Sequence, residues 1–214
     1  MDFATWLPFF LATVAISLSP GPGAIAAMGA GLNHGFRQGQ PMALGLALGV
    51  ITQLSVVGVG LGALLATSET AFAVVKWLGA AYLVWLGVQQ WRSSASPLGP
   101  QAPGGPQADG PGRPLRTLLL RGWTVNALNP KGTVFLLAVM PQFLHPGQPL
   151  LAQYLAIGAT FGMVECVVMT GYVALAARMV GLLRTPGRVR WMNRGFGGLF
   201  VVAGVVLATF RRSV

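Results

Sequence analysis

Acid is what this sequence has least of. Asp2, Glu69, Asp109 and Glu165 are its only carboxylates in 214 residues, and charged residues of both signs make up 8% of the chain. An ordinary soluble domain carries roughly 25%, so this chain lacks the charge to cover a water-facing surface of its size. Cysteine is almost absent too. Cys166 stands alone, which excludes an intramolecular disulfide, a CxxC redox pair with its electron-carrier chemistry, and a thiolate zinc site. The two histidines, His34 and His145, fall in expected loops and lie far apart in sequence, so no metal site is expected.

What is present is apolar: 54% of the residues are hydrophobic, and the 14 Lys and Arg set a net charge of +10. Basic excess of this kind can mark a nucleic-acid binder. Here the arginines sit between apolar runs and form neither a groove-sized patch nor a nucleic-acid motif, so no nucleic-acid partner is expected. The composition is that of a membrane protein in contact with lipid.

No charge falls in 3–36, 38–68, 77–91, 132–164 or 195–210. About 20 apolar residues cross the hydrocarbon, so the longer windows hold more than one span's worth of chain. The expected fold class is an all-α membrane protein with six transmembrane helices, over about 4–31, 41–66, 71–91, 117–143, 150–178 and 194–211. Phe3–Leu18 resembles a signal peptide, but no Lys or Arg precedes it and the chain stays hydrophobic past any cleavage site. It is expected to be a retained first helix. With six spans, Arg37, Arg92, Arg113, Arg116, Arg121, Arg184, Arg188 and Arg190 share one side, with Arg178 and Arg194 at its helix ends. That side is cytoplasmic by the positive-inside rule and both termini are extracytoplasmic. Arg211 and Arg212 oppose this orientation, and five spans with a cytoplasmic C-terminus is the alternative.

Residues 93–114 hold six Pro and five Gly and are expected to be a disordered cytoplasmic linker. They divide a single transporter domain, 1–214, into repeats of about 1–92 and 115–214. Ser19-Pro20-Gly21-Pro22-Gly23 interrupts the first helix and Asn129-Pro130-Lys131-Gly132 the fourth, with Leu18-Ser19-Pro20 and Leu128-Asn129-Pro130 at an offset of 110. Gly79-x-x-Tyr82 and Gly197-x-x-Phe200 give a fainter echo. Two three-span copies must lie inverted across the bilayer, and Pro/Gly-interrupted segments at matching places point to a transporter's binding site. Proline breaks the helix, Ser and Asn cap a new one, and proline suits its first position. Each motif therefore reads as the start of a half-helix, whose free N–H groups and dipole form an anion site for a substrate carboxylate. Lys131 adds a full positive charge to one of them. The plainer reading of either motif alone is a proline kink; two capped motifs at matching places favour the site.

These motifs resemble the LysE/RhtB family of amino-acid exporters. The resemblance continues through Gly35-Phe36-Arg37-Gln38-Gly39, Gly45 and Gly49, Gly79-Ala80-Ala81-Tyr82-Leu83-Val84-Trp85-Leu86-Gly87, Leu128-Asn129-Pro130-Lys131 and Pro141-Gln142-Phe143. It implies a secondary exporter of amino acids or close derivatives in the bacterial cytoplasmic membrane, driven by protons, working as a homodimer and needing no cofactor. Where family members often carry an acid or His in the second helix, this chain has Thr52 and Gln53.

Glu165 is the only acid within any expected span, about 15 residues or roughly 22 Å from the start of its helix. Lys131 lies at similar depth from the other face. An ionisable group at that depth costs about 2.5–3.5 kcal/mol and marks a functional site, so Glu165 is the candidate proton carrier; a static Glu165–Lys131 pair is the alternative. Thr52, Gln53 and Ser55 are candidates for the cavity wall or for interhelical hydrogen bonds, and Tyr172 for the cavity. The candidate substrate-binding set is Ser19, Pro20, Gly21, Pro22, Gly23, Gln53, Asn129, Pro130 and Lys131. Gly45-x-x-x-Gly49 and Gly58-x-x-x-Gly62 read as close-packing faces, and Trp77, Trp85, Trp91 and Tyr82 as lipid-facing or interface residues. One intramembrane acid with no intramembrane histidine does not supply an enzyme's acid–base or metal chemistry. A non-transporting assembly subunit and an exporter of another small metabolite are the remaining alternatives.

Overall fold

A computed structural model of the chain describes residues 3–65, 69–92, 115–145 and 147–178, with positions 191, 194, 195, 198, 201, 202 and 205 beyond them. The expected linker 93–114, most of the expected helix 194–211 with Gly197 and Phe200, and Arg184, Arg188 and Arg190 lie outside these residues, as do the side chains of Glu69 and Lys76. All regular structure among the described residues is helical: α1 (Phe3–Leu18), α2 (Pro22–Leu65), α3 (Glu69–Arg92), α4 (Leu115–Ala127), α5 (Pro130–Phe143) and α6 (Leu150–Arg178). By length and apolar composition, α6 (Leu150–Arg178) and the part of α2 from 36 to 60 are each long enough to cross a membrane.

The chain leaves the helical path at both proline motifs. α1 stops at Leu18, because Pro20 has no N–H for the next helical bond and disfavours helical geometry at Ser19. α2 restarts at Pro22. In the second motif α4 ends at Ala127, and Asn129 takes an extended conformation (φ −75°, ψ 111°) while its side chain accepts the Lys131 backbone N–H. Pro130 then occupies the first turn of α5, where its missing donor would have been unpaired in any case.

The interval between the first two expected helices, 4–31 and 41–66, differs from expectation. No loop of several residues separates them; helical structure runs through, broken only at Gly35 (φ 71°, ψ −178°). A positive φ of this kind is cheap only for glycine, and one such residue suffices to fold the chain back. A Cβ on Gly39 would lie 3.2 Å from the Ala30 carbonyl carbon, whereas residues nine apart in a straight helix are about 13 Å apart. α2 is thus a helical hairpin with arms 22–34 and 36–65. The expected helix 117–143 is likewise divided, into α4 and α5.

The longer arm of α2 is seated on α4 through glycines. A Cβ on Gly45 would collide with the Leu119 carbonyl oxygen, and one on Gly122 with the Met42 carbonyl oxygen. On Gly49 it would stand 2.7 Å from the Asn126 Cβ. Small residues are what allow backbones to approach this closely in a bilayer. Around this frame the usual polarity of a protein is inverted. Val59, Leu151 and Val167 are more than two-thirds exposed, and Trp77, Trp85 and Trp91 more than half. Thr13, Ser17, Gln53, Asn126, Asn129, Gln142, Gln153, Thr160 and Glu165 are buried. An apolar exterior of this extent suits hydrocarbon surroundings.

Gly45→Ala should lower unfolding stability by about 1–3 kcal/mol, the range for overpacking a tight contact. Gly29→Ala, where an added Cβ meets nothing within 4 Å, should be neutral or stabilise by up to about 1 kcal/mol. Thermal unfolding midpoints in detergent distinguish the two; equal effects would show that the glycine seam is not a tight contact.

Candidate functional site

The two helix breaks meet at one cavity of about 30 Å³, lined by residues of α1, α2, α4, α5 and α6 together with both breaks. Ser19, Gly21, Gly23, Asn129 and Lys131 of the sequence-derived set line it, and Glu165 closes it from α6. Gly21, Gly23, Ala24 and Gly132 keep the wall thin, so that backbone as well as side chains faces the space.

Glu165 is 5% exposed. A carboxylate so far from water needs donors, and among the described residues it has two. Ser17 Oγ donates to Oε2 at 2.6 Å, and Asn126 Nδ2 to Oε1 at 2.9 Å. Ser17 lies in the last turn of α1 and Asn126 in that of α4, so α6 reaches both broken helices through one side chain. Asn126 Nδ2 also donates to the Leu46 carbonyl at 2.8 Å, and Asn129 Nδ2 donates to Asn126 Oδ1 at 3.3 Å. Lys131 lines the same cavity and is attracted electrostatically to Glu165.

The backbone groups freed by the breaks are taken up across the two halves of the chain. At the C-terminal end of α1, Tyr172 Oη donates to the Leu18 carbonyl at 2.6 Å and Lys131 Nζ to the Ser19 carbonyl at 2.8 Å. At the second break Gln53 Nε2 donates to the Asn129 carbonyl at 2.6 Å and to Thr133 Oγ1 at 3.0 Å. The opposite poles of the breaks are the first turns of α2 and α5, whose leading N–H groups have no intrahelical acceptor. Those of Gly23 and Ala24 belong to residues of the cavity wall.

The remaining members of the sequence-derived set stand elsewhere. Pro20 is half-buried, Pro22 and Pro130 are exposed, and none of the three lines the cavity; they make the breaks without facing the space. Gln53 also lies outside the lining and braces the second break from behind. Thr52 and Ser55 bond carbonyls of their own helix, Leu48 at 3.1 Å and Ile51 at 2.9 Å, and Thr52 accepts from Trp123. Tyr172 engages the end of α1 rather than the cavity wall. Sequence reasoning passed over Ser17 and Asn126. Their signal was present as a polar residue within three positions of each break, but a lone Ser or Asn in an apolar helix does not announce which way it faces. Among the described residues no group of three or more His, Cys, Asp or Glu is placed to hold a metal.

A helical bundle that is apolar outside, polar within, and broken twice around a buried acid is built as a membrane protein with a polar cavity at depth. The chain belongs to the LysE type translocator family, whose family model matches residues 14–211. It is 44% identical over 214 residues, the whole of both chains, to a homoserine/homoserine lactone efflux protein of Salmonella typhi. It is 39% identical over 209 residues, 98% of both chains, to a membrane protein of Vibrio cholerae. A leucine efflux protein of an Enterobacter species is 26% identical over 188 residues, covering 87% of this chain and 86% of that one. No solved structure matches the chain.

Asn126→Leu removes a donor from both Glu165 and the Leu46 carbonyl, and should lower unfolding stability by about 1–3 kcal/mol. Combined with Glu165→Gln, the two losses should fall short of additivity by at least about 0.5 kcal/mol. Denaturant unfolding of the single and double variants in detergent measures this, and strict additivity would show that the bond carries no weight.

Proposed function

We propose that the protein is a secondary exporter that carries neutral amino acids and close derivatives out across the bacterial cytoplasmic membrane, by alternating access and in exchange for protons. The observation that supports this best is the placement of Glu165, a buried acid bonded to one residue next to each helix break. Homoserine and its lactone are the favoured substrates, because the full-length relative at 44% identity carries that description. A cationic side chain is less suited, since Glu165 is the only acid among the residues lining the cavity.

In this mechanism the chain forms two inverted halves, about 1–92 and 115–214, of three spans each, joined by 93–114, with both termini extracytoplasmic. Substrate enters from the cytoplasm. Its carboxylate, or a lactone carbonyl, lies against the leading amides of α2 and α5, near Ser19–Gly23 and Asn129–Lys131, where the positive ends of both helix dipoles converge. The cavity has room for about two waters, so binding an amino acid requires the halves to part. Glu165 supplies the coupling. Ionised, it accepts from Ser17 and Asn126 and attracts Lys131. Once protonated from outside it loses that attraction and one of its acceptor roles, which loosens α1 and α4 from α6 and favours the other opening.

Glu165→Gln should abolish export driven by a pH gradient in proteoliposomes while leaving the protein inserted and folded. Export at the wild-type rate would remove Glu165 from the coupling step. Pro130→Ala should reduce transport more than it reduces the amount of folded protein, and an equal loss of both would mark that proline as a structural kink alone. A wild-type protein that moves no member of an amino-acid panel under an imposed gradient would overturn the exporter reading in favour of an assembly role.

A further inference from the structure

The chain keeps a cation of its own at the end of α1. Pro20 and Pro22 offer no N–H to the Ile16 and Leu18 carbonyls, and the end of α1 brings the negative end of the helix dipole to the cavity. Just beyond α1, the Ser19 carbonyl accepts Lys131 Nζ at 2.8 Å. The same cavity is lined by Ser17, whose Oγ is bonded to the Glu165 carboxylate, and by Ser19 itself. Ser19 is 3% exposed and lines the cavity, yet its hydroxyl oxygen has no hydrogen-bond partner among the described residues. Buried hydroxyls in native proteins are nearly always bonded, so this one points to a ligand. Carbonyl, hydroxyl and carboxylate oxygens together form a seat for a donor-only cation.

We infer that this end of α1 binds the α-ammonium group of the substrate, and that Lys131 fills the seat as a tethered stand-in when substrate is absent. The inference rests on the amino-acid exporter reading above and adds to it the group that is recognised first. A lysine ammonium and an α-ammonium are the same donor set, three N–H groups on a compact charge. Gly21 lies against the stand-in, where a Cβ would make ordinary contact with Lys131, 3.5 Å from Nζ and 3.6 Å from Cδ. Two cations cannot occupy one such set of oxygens. Substrate therefore enters by exchange: Lys131 Nζ leaves Ser19 O, the α-ammonium takes that carbonyl and Glu165, and Ser19 Oγ gains its partner. The ammonium is obligatory in this scheme and the carboxylate is not.

Counterflow of labelled homoserine into proteoliposomes holding the intact wild-type protein tests this. Unlabelled homoserine lactone, which keeps the ammonium and masks the carboxylate, should inhibit within about threefold of homoserine itself. 2,4-Dihydroxybutyrate, which keeps the carboxylate and replaces the ammonium by hydroxyl, should need at least about tenfold more. Equal inhibition by the dihydroxy acid, or none by the lactone, overturns the inference. In a second arm, Lys131→Gln removes the resident competitor and should lower the half-saturating homoserine concentration about tenfold, as expected where a site is open a tenth of the time. A higher half-saturation would mean that Lys131 holds the substrate rather than standing in for it, which overturns the inference and leaves the exporter reading intact. Absence of counterflow for homoserine and for every other amino acid in the wild-type protein would instead overturn the exporter reading on which the inference rests.

Discussion

A carboxylate enclosed by a lipid-facing bundle must be supplied with donors, and the rest of the site follows from how Glu165 obtains them. Its partners Ser17 and Asn126 come from α1 and α4, the two helices that end at proline breaks. Asn126 reaches Glu165 and the Leu46 carbonyl together only because α4 and the long arm of α2 are nearly in backbone contact. That contact in turn requires Gly45, Gly49 and Gly122, where any Cβ would collide. The dependence therefore runs from small residues to close approach, from close approach to Asn126, and from Asn126 to a satisfied acid.

The breaks impose a second accounting. Backbone groups freed in the absence of water must find partners, and here each break draws them from the other half of the chain. Gln53 of α2 secures the Asn129 carbonyl, while Lys131 of α5 and Tyr172 of α6 secure the end of α1. Single hydrogen bonds between neutral groups contribute about 0.5–1.5 kcal/mol each and one to a charged group about 1.5–3, and they can be exchanged one at a time. The glycine seam between α2 and α4 cannot. On the exporter reading, this separates a rigid frame from two adjustable junctions, and the cavity lies at the junctions.

Much of this was legible because it depends on local chemistry. Proline's missing donor acts wherever it stands, so both breaks could be read at Ser19-Pro20 and Asn129-Pro130 before any packing was known. The span of α6, Leu150–Arg178, follows from Pro149 at one end and the first charge after Glu165 at the other. The α2 hairpin was not legible. A single glycine at φ 71° reverses the chain while Phe36, Arg37 and Gln38, which look like loop, stay helical. The orientation of Ser17, Asn126 and Gln53 was equally hidden, since in a chain hydrophobic on every face periodicity does not say which side looks inward. For Gln53 polarity left open the cavity wall or an interhelical hydrogen bond; it packs against Gly132 and bonds Asn129 and Thr133 at the back of the break.

The scarcity of acid now carries a mechanistic meaning. A buried region without water tolerates little unpaired charge, and the cavity wall offers one carboxylate to balance every cation that enters. On the exporter reading three cations seek it: the lysine that is always there, the proton from outside, and the ammonium of the substrate. With a second acid they could be accommodated side by side and would not influence one another. With Glu165 alone, the arrival of one weakens the hold on the others, and a coupling free energy between proton and solute arises from that exclusion without any further device.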